Sequence, residues 1–245
     1  MARIFITGSA DGLGQMAAGE LVKQGHRVVL HARNEQRAKE ALAKVPGAET
    51  ALAADLSDME ATKRLAAEVN RLGSFDAIIH NAGVYQVPGS TILAVNTLAP
   101  YLLTCLIRPP QRLIYLSSGD HFNGDAALSG LRADPPKARY SDSKLHDLIL
   151  AKVVAGKWPD VYANALDPGW VPTKMGGRGA PDNLEEGFRT QVWLAVSNDP
   201  KALVSGHYFY HQRQARYQQK ADEPGVQEQF LALCEKLSGV RFPHH

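Results

Sequence analysis

The sequence predicts an α/β fold in which one doubly wound parallel sheet of about seven strands carries helices on both faces. Short apolar runs alternate along the chain with helical stretches of about ten to fifteen residues, the pattern of repeated strand–helix–strand crossovers. The first apolar run, I-F-I at residues 4–6, leads directly into a cluster of glycines. No linker, repeat or low-complexity tract interrupts the chain, so we expect a single domain over residues 1–245.

Each strand is predicted from a short run of β-branched, aromatic or other apolar residues that ends at a turn signal. The third run is rich in alanine, and it is predicted from its place in the alternation rather than from its propensity. The predicted strands are residues 4–6, 27–32, 50–54, 75–80, 112–116, 161–166 and 206–210.

Helices are predicted where apolar residues recur at helical spacing between those strands. The first is followed by Gly25 and the second by Pro46, residue types that end helices. The predicted helices are residues 13–24, 35–45, 58–72, 93–107, 140–155, 183–197 and 226–237.

The charge pattern argues against polyanionic partners. The chain carries 27 basic and 25 acidic residues, which are interspersed rather than grouped, for a net charge of +2. Such a surface has no basic patch for nucleic acid or for an anionic membrane. We therefore expect a small-molecule ligand.

The two cysteines, Cys105 and Cys234, lie far apart in apolar stretches and lack the spacing of a metal site or a redox pair. We therefore expect no metal, and we expect both thiols in the core of a cytoplasmic protein. The first strand begins close to Met1 and no apolar run has the length of a membrane span, so neither a signal peptide nor a membrane-spanning segment is expected. Whether His244 and His245 are native or part of a tag stays open.

The most informative stretch is T-G-S-A-D-G-L-G at residues 7–14, between the first strand and the first helix. Glycines permit a tight turn and a close approach of backbone N–H groups, and a helix N-terminus attracts anions, so this stretch can hold a pyrophosphate. An ordinary strand-to-helix turn would use the same residues. The spacing of Gly8, Gly12 and Gly14 differs from G-x-G-x-x-G and resembles the T-G-x-x-x-G-x-G of the short-chain dehydrogenase/reductase family.

Arg33 follows the second strand, where dinucleotide-binding folds select their cofactor. The ribose 2′-hydroxyl of NAD requires an acidic acceptor, whereas the 2′-phosphate of NADP requires a cation. No carboxylate occurs before Glu35, so the sequence favours NADP(H) over NAD(H), and Ser9 is expected to add a hydroxyl contact. A solvated arginine at the start of a helix is the alternative.

Polar residues also follow the third and fourth strands. Asp55, with Leu56 after it, resembles the family's D-[LV] and would accept from the adenine amino group; alternatively Asp55 or Ser57 caps the next helix. The N-A-G at residues 81–83 resembles the family's N-N-A-G, with His80 in place of the first Asn. Small residues here would let the backbone lie against a cofactor, although a plain turn uses them too.

The candidate catalytic residues lie after the fifth strand and in the next helix. Ser117 and Ser118 end the strand, and Tyr140 and Lys144 stand four residues apart, which places both on one helix face. A neighbouring cation stabilises a phenolate, so we expect Lys144, and a cationic nicotinamide, to lower the pKa of Tyr140 below ~10. Such pairs also occur on ordinary amphipathic helices, but here the pair follows the other motifs in family order.

The D-P-G-W-V-P-T at residues 167–173 resembles the family's P-G-x-V-x-T. The resemblance implies that the backbone of Val171 and the hydroxyl of Thr173 hold the nicotinamide carboxamide. A Pro-Gly pair is also a common turn in any protein.

The resemblance implies a Rossmann-type fold and reversible hydride transfer between NADP(H) and a carbonyl or alcohol of a small, partly apolar substrate. Tyr140 would be the general acid and base, Ser118 would bind the substrate oxygen, and Lys144 would lower the Tyr140 pKa and bind the nicotinamide ribose. Asn96 would hold a water in a proton relay to Lys144. The implied cofactor-binding residues are Thr7, Gly8, Ser9, Gly12, Leu13, Gly14, Arg33, Asp55, Leu56, Asn81, Ala82, Gly83, Tyr140, Lys144, Pro168, Gly169, Val171 and Thr173.

Other segments depart from the family pattern. Residues 108–110 (R-P-P) cut short a helix through which many relatives dimerise, so a homo-oligomer is possible but the usual interface is in doubt. Residues 119–139 form an insertion beside the active site that, with S-K-L after Tyr140, resembles retinol dehydrogenases and protochlorophyllide reductases. His121 in this insertion is expected to be solvated rather than to contact substrate. Residues 170–183 are expected to form a mobile lid, and residues 212–220 a solvated connection.

Two other functions use a similar fold. A regulator or redox sensor would bind NADP without turnover, but such proteins typically lose the tyrosine or lysine that this chain keeps. A sugar-nucleotide epimerase shares Tyr-x-x-x-Lys, but it usually has a larger substrate domain than the residues after Pro168 can form.

Overall fold

An eight-stranded sheet in the order β3-β2-β1-β4-β5-β6-β7-β8 runs through the computed structural model, which describes residues 1–243. His244 and His245 lie outside the described residues. All neighbouring strands are parallel except β7 and β8. The strands are β1 (Arg3–Ile6), β2 (Arg27–Ala32), β3 (Thr50–Ala53), β4 (Ala77–His80), β5 (Arg112–Leu116), β6 (Tyr162–Asp167), β7 (Tyr208–Tyr210) and β8 (Arg213–Gln214).

Helices connect the strands and cover both faces of the sheet, which confirms the predicted fold class. A π-helical turn, Leu93–Leu98, joins α4 to α5, and 3₁₀ turns lie at Gly119–Asn123 and Gln219–Asp222. The helices are α1 (Gly12–Lys23), α2 (Glu35–Lys44), α3 (Met59–Leu72), α4 (Gly89–Ile92), α5 (Ala99–Leu106), α6 (Ser129–Arg132), α7 (Tyr140–Lys157), α8 (Leu184–Val196) and α9 (Pro224–Ser238).

The core lies in two layers, one on each face of the sheet. Successive residues of β1 show the division, because Ile4 and Ile6 pack into one layer and Phe5 packs into the other. Side chains alternate between the faces of a strand, and a parallel sheet covered on both faces buries all of them. Near-continuous apolar runs are therefore the correct signal for these strands.

The sequence does not predict the short strand β8. Its two residues, Arg213 and Gln214, are both exposed, and they pair antiparallel with the end of β7. The expected solvated connection at residues 212–220 is therefore partly ordered as a strand. A two-residue polar strand has no apolar periodicity, so only its pairing partner reveals it.

The start of α3 settles which carboxylate caps it. The Asp58 side chain accepts hydrogen bonds from the backbone N–H of Glu60 at 2.8 Å and of Ala61 at 3.2 Å. The alternative that Asp55 or Ser57 caps this helix is therefore wrong, and Asp55 is available for another role.

One stretch of the described residues, Gly89–Leu106, has the length and the apolar composition of a membrane-spanning helix, with a mean hydropathy of 1.3 over 18 residues. The sequence expectation that no run reaches this length does not hold. Of this stretch, 67% is buried inside the protein, and a helix in the core of a protein can have the same length and composition.

Three of the buried histidines make the fold sensitive to acid. Burial lowers the pKa of His31 to about 4, of His80 to about 3 and of His146 to about 4, from 6.5. The unfolded chain therefore binds protons first, so the free energy of unfolding falls as the pH drops from about 6.5 towards 4, by on the order of 1–3 kcal/mol for each histidine.

Urea unfolding measured across this pH range tests that expectation. The midpoint should fall steadily below pH 6.5, and His146→Gln should make the fall shallower because it removes one of the titrating groups. A profile in His146→Gln as steep as that of the wild type would contradict this explanation.

Candidate active site

A cleft of about 530 Å³ lies at the carboxyl ends of the strands, where the sheet order reverses between β1 and β4. This is the position at which doubly wound sheets bind ligands. The predicted site residues on its wall are Gly8, Gly12, Leu13, Arg33, Asp55, Leu56, Asn81, Ala82, Gly83, Tyr140, Lys144, Pro168 and Thr173. The other predicted residues, which do not line the cleft, are Thr7, Ser9, Gly14, Asn96, Ser118, Gly169 and Val171.

The glycine loop is shaped by contacts that exclude side chains. Gly8 has a φ of +63°, and a Cβ on it would lie 2.8 Å from the Cα of Ala82. A Cβ on Gly14 would lie 2.4 Å from Nδ2 of Asn81 and 2.7 Å from the carbonyl oxygen of Gly8. The loop therefore offers bare backbone at the start of α1, which fits the pyrophosphate of a dinucleotide.

The N-A-G turn after β4 braces this loop. Nδ2 of Asn81 donates to the carbonyl oxygens of Thr7 and Gly8, both at 3.0 Å. The backbone N–H of Ala82 donates to Oγ1 of Thr7 at 3.0 Å. Thr7 and Asn81 therefore act by holding the loop in shape.

Ser9 faces the interior of the fold. Its hydroxyl donates to the carbonyl oxygen of Ile6 at 2.9 Å and accepts from the backbone N–H of His31 at 2.9 Å. The side chain is fully buried, so the expected contact between Ser9 and a 2′-phosphate does not fit this geometry.

His31 lines the cleft and was not singled out by the sequence motifs. Its Nδ1 accepts from the backbone N–H of Gly8 at 3.0 Å, and its Nε2 lies 2.9 Å from the carbonyl oxygen of Ala54. Both contacts are satisfied by a neutral ring protonated on Nε2. Burial favours this neutral form by lowering the His31 pKa to about 4.

A group of charged residues lies at the end of the cleft near α2. Arg33 is exposed on the wall just before α2, and Arg37 lies four residues later, in the first turn of α2. Arg37 and Lys174 both donate to Oδ2 of Asp11, at 2.6 and 3.0 Å. Burial acts to raise the pKa of Asp11, but these hydrogen bonds lower it overall. The sequence motifs do not include Arg37. Its spacing of four residues from Arg33 is the pattern that could have identified it.

Asp55 lies on the same part of the wall. Its Oδ1 accepts from the backbone N–H of Ser57 at 2.9 Å and from the Ser57 hydroxyl at 2.7 Å. Burial acts to raise the pKa of Asp55, but the Ser57 hydrogen bonds and the nearby Arg33 lower it overall. Asp55 is therefore an ionised acceptor beside the cleft.

The two serines after β5 have different surroundings. The Ser117 hydroxyl is buried and donates to the backbone carbonyl of Lys144 at 2.7 Å. Ser118 is half-buried, and its hydroxyl accepts from the backbone N–H of Asp120 at 3.2 Å. Ser118 also acts to lower the pKa of Tyr140, although it does not itself line the cleft.

The pKa of Tyr140 is raised, contrary to the sequence expectation. Burial raises it, Lys144 acts in the opposite direction, and the carboxylates of Asp147 and Asp120 raise it further. The expected effect of Lys144 is therefore present but outweighed. The Tyr140 hydroxyl lies 4.0 Å from Sδ of Met175, and its ring packs edge-on against Tyr85, with centroids 4.9 Å apart.

Lys144 is almost completely buried in α7. Its Nζ donates to the carbonyl oxygen of Leu116 at 2.6 Å and to Oδ2 of Asp147 at 2.9 Å. Burial acts to lower the pKa of Lys144, but Asp147 and Tyr140 raise it overall, so the ammonium form is stabilised.

The amide of Asn96 is engaged by its neighbours. Its Oδ1 accepts from the backbone N–H of Val84 at 2.8 Å, and its Nδ2 donates to the Val84 carbonyl at 2.9 Å and to Oγ of Ser143 at 3.1 Å. The side chain therefore fixes the loop after β4, and a water relay from this residue would have to use its backbone. Asn96 lies in the π-helical turn, a feature often found at functional sites.

His121 is fully buried, so the expectation of a solvated loop histidine is wrong. Its Nδ1 lies 2.7 Å from the carbonyl oxygen of Ser118, and its Nε2 accepts from the backbone N–H of Gln218 at 3.1 Å. The Gln218 amide also donates to three carbonyls of the segment 121–124. The insertion is thus tied to the C-terminal part of the chain, a long-range contact that no local pattern indicates.

The glycine-rich segment 170–183 is closed at its base by two reciprocal hydrogen bonds. The backbone N–H of Trp170 donates to Oδ2 of Asp182 at 2.6 Å, and the backbone N–H of Asp182 donates to the Trp170 carbonyl at 3.0 Å. Gly169, before this segment, has a φ of +82°, and a Cβ there would lie 2.7 Å from the Asp182 carboxylate.

Comparisons with known proteins identify relatives of this chain. A family model of the short chain dehydrogenases matches residues 2–103. The chain is 44% identical to an uncharacterized oxidoreductase of Emericella nidulans, over 99% of each chain. It is 39% identical to a short-chain dehydrogenase of Penicillium rubens, over 99% of this chain and 100% of the relative.

More distant matches extend the same result. The chain is 26% identical to retinol dehydrogenase 14 of Mus musculus, over 97% of this chain and 86% of the relative. The solved structure of an uncharacterized protein from Mycobacterium paratuberculosis superposes with a TM-score of 0.82 at 24% identity, over 99% of this chain and 95% of that one, which shows the shared fold. The chain belongs to the short-chain dehydrogenase/reductase family, whose members are oxidoreductases that use a nicotinamide cofactor.

Two glycine-to-alanine variants of α1 test the backbone cradle. Gly14→Ala should weaken dinucleotide binding at least about tenfold, because its methyl group would displace Asn81 or the Gly8 carbonyl. Gly19→Ala is the matched control: a Cβ there meets nothing within 4 Å, so binding should be unchanged and stability should rise by about 0.5–1 kcal/mol. Fluorescence titration measures the dinucleotide affinity, and thermal unfolding measures the stability. Equal affinities for the two variants would contradict the role of the loop backbone in binding.

Proposed function

We propose that the protein is an NADP(H)-dependent oxidoreductase that interconverts a carbonyl group and an alcohol, with Tyr140 as the general acid and base. The observation that carries the proposal is that Tyr140 and Lys144 line the same cleft as the glycine cradle, with Nζ of Lys144 5.6 Å from the centroid of the Tyr140 ring. When bound, the nicotinamide supplies or accepts the hydride.

The chain's own residues supply the proton chemistry. Tyr140 would give its hydroxyl proton to the substrate oxygen in reduction and recover it in oxidation. Ser118 would donate a hydrogen bond to the same oxygen and stabilise its developing charge. Lys144 would stabilise the phenolate and bind the nicotinamide ribose.

The charges near α2 support NADP(H) over NAD(H). Arg33 and Arg37 both line the cleft beyond β2, where the adenosine ribose of a dinucleotide would lie. A guanidinium pairs with a phosphate through two hydrogen bonds and can stack on adenine. Asp11, which lies with them, is already paired with Arg37 and Lys174.

Exposed apolar side chains near Tyr140 support a partly apolar substrate. Tyr85 packs against the Tyr140 ring, and Met175 contacts its hydroxyl. Trp170 is 60% exposed, and its indole N–H donates to the Gly176 carbonyl next to Met175 at 2.8 Å. A small ketone or aldehyde with an apolar body fits these surroundings.

We further propose that the protein works in the cytoplasm. Cys105 and Cys234 are unpaired, as is usual for proteins of a reducing compartment.

Tyr140→Phe should lower the rate of NADPH oxidation with aldehydes, ketones and quinones by about a hundredfold or more. The substitution keeps the ring and removes only the hydroxyl that donates the proton. The fall in NADPH absorbance measures the rate, and Tyr85→Phe, which keeps Tyr140, is the matched control expected to stay active. NADPH binding without turnover in the wild type would favour the regulator or redox sensor instead.

Arg33→Ala should weaken NADPH binding by about tenfold to a hundredfold and leave NADH binding unchanged, because only NADPH carries the 2′-phosphate. The double variant with Arg37→Ala should lose the preference more completely. Arg64→Ala, on the remote helix α3, is the control for a general loss of positive charge. Fluorescence titration measures all affinities, and an equal loss for both nucleotides would contradict this basis of selectivity.

A further inference from the structure

Asp147 lies one helical turn beyond Lys144 in α7, in the stretch K-L-H-D. The two side chains are only 5% and 6% exposed, and Nζ of Lys144 donates to Oδ2 of Asp147 at 2.9 Å. Taking both charges out of water costs several kcal/mol per ion, so a buried ion pair is weak evidence for a purely stabilising role. A role in the chemistry of the site is the alternative.

The position of Lys144 shows what Asp147 does to it. The ammonium has three hydrogens, of which one is directed to Asp147 and one to the Leu116 carbonyl. Its nitrogen stays 5.6 Å from the centroid of the Tyr140 ring. The cation is thus near the phenol, but its hydrogen bonds are made to other groups.

The charges around the pair come from several elements. Burial raises the pKa of Tyr140; Lys144 opposes this effect, and Asp147 on α7 and Asp120 in the 3₁₀ turn add to it. Asp167 at the end of β6 acts with Asp147 to keep Lys144 charged. Burial also raises the pKa of Asp147 itself, to about 6, while Lys144 opposes the rise.

Tyr115 on β5 is a further titratable group near Asp147. Burial raises the pKa of Tyr115, and the Asp147 charge adds to the rise. Tyr115 is fully buried, and its hydroxyl pairs with that of Thr104 at 2.9 Å, so it stays protonated. Lys144 is therefore the cation that offsets the Asp147 carboxylate.

We propose that Asp147 is a positioning residue that holds the Lys144 ammonium by a hydrogen bond and keeps the Tyr140 phenol in its protonated, proton-donating form. This inference rests on the proposed function for its chemical meaning. A protonated phenol serves reduction: the carbonyl carbon would take the hydride from the reduced nicotinamide as the C=O π bond opens, and the carbonyl oxygen would take the proton from the Tyr140 O–H, which leaves a phenolate. Asp147 therefore extends to higher pH the range in which Tyr140 can donate a proton.

The test follows the ionisation of Tyr140 directly and needs no turnover. The near-ultraviolet phenolate absorbance is titrated with pH, and the same titration of Tyr140→Phe is subtracted to isolate this one tyrosine. Asp147→Asn removes the charge and keeps the shape, so it should lower the Tyr140 pKa by about one unit, a tenfold change in the phenolate ratio at fixed pH. Asp147→Glu keeps the charge and should restore the wild-type titration.

Asp142→Asn is the matched control, because Asp142 is a carboxylate of the same helix that pairs with Arg139 instead. It should leave the Tyr140 titration unchanged. Should Asp147→Asn fail to fold, as judged by circular dichroism, Asp147→Ser supplies a second neutral variant with a hydroxyl to accept from Lys144. The proposal would be overturned if the Tyr140 pKa in the neutral Asp147 variant equalled the values in the wild type and in Asp142→Asn.

The pH profile of NADPH-dependent reduction provides the second readout. Because reduction requires the protonated phenol, its rate falls above the Tyr140 pKa, and in Asp147→Asn this fall should begin about one pH unit lower than in the wild type. A shifted absorbance titration with no turnover by the wild type would count against the proposed function alone. An unshifted titration in an active enzyme would count against the role of Asp147 alone.

Discussion

The close approach of the loops after β1 and β4 is the constraint on which the candidate site depends. Gly8 and Ala82 lie so near each other that a Cβ on Gly8 would come within 2.8 Å of the Ala82 backbone. The Asn81 amide joins the two loops by donating to the carbonyls of Thr7 and Gly8. The rest of the cleft is arranged around this junction, because β1 and β4 are the strands at which the order of the sheet reverses.

Burial controls the electrostatics on the other side of the cleft. Lys144 favours the Tyr140 phenolate, yet the net pKa of the phenol is raised, because desolvation outweighs one neighbouring cation that is itself paired with Asp147. The free energy of a charge in a protein depends on the whole surrounding set of groups rather than on one partner. A Tyr-x-x-x-Lys spacing therefore indicates where proton chemistry can occur, but not at which pH.

Several parts of the fold and the site were predictable from the sequence because their signals are local. The strands are apolar runs, and the glycine positions follow from backbone conformation, as the positive φ of Gly8 and Gly12 shows. Helical spacing brings Tyr140 and Lys144 to one face. The π-helical turn at Leu93–Leu98 and the two-residue strand β8 lack such signals, since the first resembles an ordinary helix and the second is exposed and polar.

Wrong expectations about individual side chains have a common cause. Ser9 was expected to face a phosphate and His121 to face solvent, but each is fully buried and hydrogen-bonded within the fold. The His121 ring accepts from Gln218, which lies 97 residues away. The residue type determines which hydrogen bonds a side chain can make, whereas the neighbouring groups in the fold determine which of them form.

By itself, the sequence determined the fold class, the family, the glycine cradle and the spacing of the candidate catalytic residues, because periodicity and backbone freedom are properties of short segments. The tertiary structure alone decided that the Ser117 hydroxyl is bound to the backbone of α7, which carboxylate caps α3, and that Lys144 and Asp147 form a buried ion pair. It also decided the direction of the Tyr140 pKa shift. These outcomes depend on burial and on contacts between separate elements, which exist only once the chain has folded.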